Sequence, residues 1–193
     1  MLARRLVRLL AMTPITPNQL TVITAAVAIL GAGLFVNGDP KYANWGASLF
    51  VLARFLDHFD GELARLKSTA SKFGYYLDYA AGTGSYAALF LALGVGLQDG
   101  PLGHWSIVIG LIAALAAFIG AFSNIAIDRH TGGDETGDAV GYPDFCGFEL
   151  EDGIYLLAPI TWLGYLYPFF FAAGIGAATY AFWTIFQWHQ LKR

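Results

Sequence analysis

Asp57, Asp60 and Asp78 are the side chains of this sequence best placed to do chemistry. They lie in the segment RFLDHFDGELARLKSTASKFGYYLDYAAG, residues 54–82. Asp57, Asp60, Gly61 and Ala64 follow the spacing i, i+3, i+4, i+7, which is one face of a helix. That face carries two acids and two residues with almost no side chain. Asp78 follows a polar break, so an antiparallel helix pair would bring it opposite the first two. A donor set of carboxylates without Cys or His favours Mg²⁺, Mn²⁺ or Ca²⁺ over zinc. Gly61, Ala64 and Gly74 would let a flat group or a diphosphate approach the backbone closely. Arg65, at the end of the same helix, is suited to a bidentate contact with phosphate oxygens. Two divalent ions bridging a diphosphate would withdraw charge from it and stabilise a leaving phosphate. The competing reading is structural: the three acids pair with Arg54, Arg65 and Lys72, and Arg65 is an ordinary anchor at a membrane surface. His58 falls off the acidic face and reads as an interface residue.

The elements that position these residues are apolar. Of the 193 residues, 56% are hydrophobic and 13% charged, and the mean hydropathy is +0.54. A soluble domain carries about 25% charged residues, so this chain has too few polar groups to cover a water-facing surface. Six apolar stretches, roughly 18–37, 44–66, 72–98, 102–128, 150–165 and 168–190, each approach or exceed the ~20 residues that cross a bilayer. The fifth is the shortest, and the break Gly164–Pro168 that separates it from the sixth is the weakest. Turns NGDPKYAN, LKSTAS and QDGP separate the others. The expectation is an all-α integral membrane protein, one membrane domain over residues 1–193 with six transmembrane helices. Residues 1–13 form a short amphipathic surface helix, with Arg4, Arg5 and Arg8 on one face and Leu2, Leu6 and Leu9 on another. No small-residue cleavage site marks them as a signal peptide.

Acids at membrane depth are expensive and therefore functional by default. With the N-terminus inside, Arg4, Arg5, Arg8, Arg65, Lys67, Lys72, Arg129, Lys192 and Arg193 all fall on the inner side, nine of the eleven Lys and Arg. This places both termini and the acidic cluster on the cytoplasmic side of the cytoplasmic membrane. The long connection 129–149 is acidic and lies on the same side; it is either functional or disordered. Tyr and Trp near the span ends, Tyr75 and Tyr76 among them, read as interface belts. Cys146, the single cysteine, excludes an internal disulfide and reads as filler. His104, His130 and His189 show no metal-ligand spacing. There is no P-loop, no dinucleotide fingerprint and no basic stripe for nucleic acid. The absence of an internal repeat counts against a small transporter that uses the acids as a relay.

The segment resembles the signature of the CDP-alcohol phosphotransferases, also called CDP-alcohol phosphatidyltransferases. That signature reads D-x-x-D-G-x-x-A-R, about eight residues, then G-x-x-x-D-x-x-x-D. Asp57, Asp60, Gly61, Ala64 and Arg65 match its first part, and Gly74 and Asp78 follow at the right spacing. Upstream, Pro17-Asn18-Gln19-Leu20-Thr21 is similar to the P-N-x-L-T element that opens the family's first span. The resemblance implies metal-dependent transfer of a substituted phosphate from a CDP-linked donor, such as CDP-diacylglycerol, to an acceptor, with release of CMP, in phospholipid synthesis. It implies that Asp57, Asp60 and Asp78 hold Mg²⁺ or Mn²⁺, two ions in the usual arrangement. It further implies that Gly61, Ala64, Arg65 and Gly74 line the nucleotide, joined by Asn18 and Thr21, and that the assembly is a homodimer in membrane lipid.

The departure is at Gly82, where the family has a fourth aspartate that touches a metal and is the presumed general base. Glycine can do neither, and the loss of a base costs about 10²–10⁴ in rate. A bland role for Gly82 is close helix packing. Four readings of the departure stand at this point. Glu151 or Asp152 supplies the base; the acceptor is already ionised; the chain is a catalytically silent subunit that binds nucleotide or lipid; or residue 82 itself was altered.

Overall fold

The computed structural model describes residues 2–132, 144–145 and 148–192, with the side chains of 2–6, 144–145 and 148–152 outside the description. Helix α1 is Leu2–Ala11 and α2 is Pro17–Gly33, which tightens into a 3₁₀ turn over Leu34–Asn37. Helices α3 (Pro40–Leu66), α4 (Lys72–Gly96) and α5 (Trp105–Thr131) follow. Asp144–Phe145 and Phe148–Glu149 pair as two short antiparallel strands. A 3₁₀ rod, Leu150–Leu156, then runs into α6 (Leu157–Trp162), and α7 is Leu166–Leu191.

Local chemistry sets the helix starts. Thr16 caps α2 through a box with Gln19, and Pro17 supplies a preset φ in the first turn. Asp39 accepts from the Lys41 amide ahead of Pro40, and Ser71 accepts from the Gly74 amide. Helix α5 runs three residues past the predicted end at 128 and stops at Gly132, whose φ of +82° suits glycine. Residues 133–143, 146 and 147 of the acidic loop, Cys146 among them, lie outside the described residues.

Among the described residues, four helical segments are long and apolar enough to cross a membrane: Pro17–Asn37, Lys72–Gly96, Trp105–Thr131 and Leu166–Leu191. Helix α3, with 27 residues, is long enough, but its charged second half keeps it out of that set. The rod of Leu150–Trp162 rises about 23 Å at 3₁₀ and α-helical pitch, short of the ~30 Å hydrocarbon core. The expected break before the sixth stretch is present, with Gly164 at φ +80°.

Helix α2 packs against both α3 and α4, α4 against α5, α5 against α7, and the short α6 against α7 and α3. These contacts close a ring. Helices α3 and α4, predicted as an antiparallel pair, bring Asp78 opposite Asp57 and Asp60 and touch where Phe50 and Arg54 meet Tyr86, with an internal space along the rest of their length. The backbones of α2 and α3 meet at Gly31 and Gly46: a Cβ on Gly46 would lie 2.6 Å from the Gly31 carbonyl oxygen. Phe50, Leu89, Leu93, Leu157 and Phe170 form the main buried core. In a second cluster, Val7 of α1 is buried against Leu20, Phe59 and Leu63, whereas Leu9 is exposed. Lys67 fastens the α1–α2 turn, donating to the carbonyls of Thr13 and Ile15 at 2.8 Å each.

Candidate active site

The ring encloses a cavity of about 970 Å³. Its polar end is built by Arg54, Asp57, Asp60 and Gly61 of α3 and by Asp78 and Gly82 of α4; beyond them the wall becomes apolar along Leu89, Leu93, Ile160 and Phe169. Asp57, Asp60 and Asp78 each offer an oxygen, and the three oxygens lie within 4.8 Å of one another. Asp57 and Asp60 are buried and Asp78 is exposed, so the cluster opens on one side.

Helix α2 holds the two buried carboxylates from behind. Thr24 donates to Asp57 Oδ1 at 2.9 Å, and Thr21 donates to Asp60 Oδ2. Arg54 donates to Asp57 Oδ2 at 2.8 Å and stacks over the Tyr86 ring at 5.1 Å. Of the ion pairs that sequence offered for the acids, Arg54–Asp57 is therefore present. The site residues cluster at one end of the helices but do not share one wall. Gly61 and Gly82 line the cavity, whereas Asn18, Ala64, Arg65 and Gly74 do not. Asn18 and Gly74 are neighbours, since a Cβ on Gly74 would lie 3.0 Å from Asn18 Oδ1. Arg65 is exposed, with Nη1 3.9 Å from where a Gly61 Cβ would stand. Thr21, expected beside nucleotide, supports Asp60. The side chains of Glu151 and Asp152 lie outside the described residues; their 3₁₀ rod reaches the cavity at Gly153 and Ile154.

Several residues were missed by sequence reasoning. His58 lines the cavity rather than an interface, with Nδ1 2.9 Å from the Arg54 carbonyl oxygen. Thr24 sits one turn after Thr21, a spacing that could have flagged it. Asp128 of α5 is fully buried and accepts from the hydroxyls of Tyr75 and Tyr79. Tyr75 is thus tied to α5 through its hydroxyl. Arg129 donates to the Tyr76 hydroxyl at 3.1 Å.

The residues present fit a divalent cation. All donors are hard oxygens, three carboxylates converge, and two are held in place by hydroxyl donors. A helical ring with four membrane-length helices and an acidic cluster facing a half-polar cavity defines an integral membrane protein with a site suited to Mg²⁺ or Mn²⁺.

Within that class, the family model described as CDP-alcohol phosphatidyltransferase matches residues 14–187, and the chain belongs to this family. The reaction of that family is the metal-dependent transfer of a substituted phosphate from a CDP-linked donor. The chain is 25% identical over 170 residues to the archaetidylinositol phosphate synthase of Pyrococcus horikoshii, covering 84% of this chain and 86% of that one. It is 37% identical over 88 residues to the bifunctional IPC transferase and DIPP synthase of Rubrobacter xylanophilus. That match covers 45% of this chain and only 20% of the relative, so the chain spans a small part of it. The fold is similar to that of the Mycobacterium tuberculosis phosphatidylinositol phosphate synthase with CDP-DAG bound. The TM-score is 0.63 at 21% identity, covering 98% of this chain and 88% of that one. A structure of that synthase with manganese and citrate gives 0.62 at 22% identity, covering 98% and 84%.

Proposed function

We propose that this protein transfers a substituted phosphate from a CDP-linked lipid donor to an acceptor and releases CMP, as a step of phospholipid synthesis. The observation that carries the reading is the convergence of Asp57, Asp60 and Asp78 within 4.8 Å at the polar end of a cavity whose far wall is apolar. A donor with a charged diphosphate and acyl chains has the same division of character. Asp57, Asp60 and Asp78 would hold Mg²⁺ or Mn²⁺, which when bound draws charge from phosphate oxygens. Thr21 and Thr24 orient two of those carboxylates. Gly61 keeps the backbone open to the diphosphate, and Arg65 contacts its oxygens. Asn18, Ala64 and Gly74, gathered at the same end of α2, α3 and α4, bind the cytidine.

In the reaction an acceptor oxygen attacks the phosphorus that carries the substituent. The bond from that phosphorus to the CMP oxygen breaks, CMP leaves, and the acceptor proton passes to a base. Glu151 and Asp152 are the candidates for that base, because the backbone next to them lines the cavity. Two relatives are named for inositol phosphate lipids, so an inositol phosphate is the first acceptor to test.

Six membrane crossings are part of this reading: α2 to α5, the short rod ending in α6, around which the bilayer would thin, and α7, with α1 on the surface as an amphipathic helix of one membrane domain. The distribution of Lys and Arg supports a cytoplasmic membrane with both termini and the site facing the cytoplasm. Exposed Leu111, Leu115, Phe122 and Phe182 on α5 and α7 suit a lipid surround, and a homodimer is the assembly the family resemblance implies.

A second reading is favoured by Gly82, whose missing carboxylate leaves Arg54 facing the cluster. It is a silent subunit that binds CDP without turnover.

CMP release separates the two. The purified protein would be supplied with CDP-diacylglycerol, Mg²⁺ or Mn²⁺, and either an inositol phosphate or a native metabolite extract, with Asp60→Asn beside it. Release that requires Asp60 supports transfer. CDP binding without release selects the silent subunit, and metal-dependent CDP binding that survives Asp60→Asn sinks the site assignment.

A further inference from the structure

Position 82 faces a cation. Arg54 is 8% exposed, and its guanidinium is held from α3 by Asp57 and from α4 by the Tyr86 ring. A Cβ on Gly82 would lie 3.7 Å from its Nη1 and 4.0 Å from its Nη2. These are ordinary contact distances, so the wall beside residue 82 carries a fixed positive charge and, with glycine there, no carboxylate to pair with it from α4 at that position. That charge cannot be shed, since a guanidinium stays protonated in proteins.

This changes what the cluster can bind. Each oxygen of Asp57 accepts a hydrogen bond, Oδ1 from Thr24 and Oδ2 from Arg54, which leaves a lone pair for one ion but few for a second. Three carboxylates and one guanidinium leave a net charge of two minus, which one divalent ion cancels. A second ion would have no fourth carboxylate and would stand beside a buried cation. The arrangement with two ions, expected from the family resemblance, does not fit these side chains.

We propose that Asp57, Asp60 and Asp78 hold a single divalent ion, and that the Arg54 guanidinium takes the place of a second. On the Gly82 side, Arg54 would supply positive charge to the diphosphate of a nucleoside-diphosphate donor, a contact that guanidinium geometry suits. The inference rests on the metal-site reading of the same three acids. Arg54 and Gly82 are a matched pair in it: with no carboxylate at 82, the three acids are balanced by one divalent ion together with the guanidinium.

The test counts ions directly and needs no turnover. Full-length protein in detergent would be titrated with Mn²⁺ in the presence of CDP. Bound metal is measured by elemental analysis and by electron paramagnetic resonance, and the count is corrected for what Asp60→Asn still binds. One Mn²⁺ per chain with the spectrum of an isolated ion is the expected result. Two per chain with a spin-coupled spectrum overturns the single-ion proposal while keeping the metal site. No Mn²⁺ bound overturns the metal-site reading itself, and the proposal with it. The double variant Arg54→Leu, Gly82→Asp should bind two coupled ions. If it unfolds at the wild-type temperature and still binds one, Arg54 does not exclude the second ion and its assigned role falls.

Discussion

Replacing Thr21 with Val tests whether α2 tunes the acidic cluster. The change removes one hydroxyl, keeps a β-branched side chain of similar volume, and strips Asp60 of its donor from α2. Asp60 is 7% exposed, so bulk water is a poor substitute for the lost donor. A hydrogen bond to a charged acceptor is worth about 1.5–3 kcal/mol. At 1.4 kcal/mol per tenfold, its loss corresponds to roughly 10–150-fold in affinity if the bond is needed to hold the carboxylate in its ligating orientation. The usual penalty for losing an outer partner of a metal ligand, about 10–100-fold, falls in the same range. Calorimetric titration of Mn²⁺ into protein saturated with CDP should therefore show a Kd about 10–100-fold higher for Thr21→Val. Thr21→Ser, which keeps the hydroxyl, should stay within about threefold of wild type. A wild-type Kd for Thr21→Val would refute the argument. Equal weakening in the Val and Ser variants would assign the effect to packing instead of the hydrogen bond.

Two further outcomes follow from the packing. Gly46→Val forces a side chain against the Gly31 carbonyl, 2.6 Å from the Cβ position, and against Leu34 at 3.2 Å; overpacking of this kind costs about 1–3 kcal/mol. The apparent unfolding temperature in detergent should fall by several degrees, and an unchanged value would show that the α2–α3 crossing is not tight. Asp128→Ala leaves the Tyr75 and Tyr79 hydroxyls without their shared acceptor, at about 1–3 kcal/mol for each one left unsatisfied. Asp128→Asn, which retains an acceptor, should recover much of the lost thermal stability; equal losses in both variants would mean that charge rather than hydrogen bonding holds α4 to α5.

The sequence by itself determined the solvent, the helices and the family. Periodicity put Asp57, Asp60 and Gly61 on one face because helix geometry is local. The motif spacing from Asp57 to Asp78 identified the family for the same reason. The caps at Thr16, Asp39 and Ser71 emerged only in the structure, which starts α3 at Pro40, ahead of the apolar stretch expected from residue 44. Tertiary structure decided what lies between α3 and α4. Antiparallel pairing sets Asp78 opposite Asp57 and Asp60 as expected, but α2 packs against both helices and the ring closes through α6, leaving a cavity that hydropathy cannot register. Thr21 and Thr24 reach the carboxylates across an interhelix contact more than 30 residues distant in sequence, and Asp128 finds its tyrosines across an interval of about 50. The sequence also set Arg54 three residues before Asp57, as one cation among several that could pair with an acid. Only the packing of α4 showed that its guanidinium stands opposite Gly82, because that meeting depends on the spacing between two helices and not on the order of residues in either.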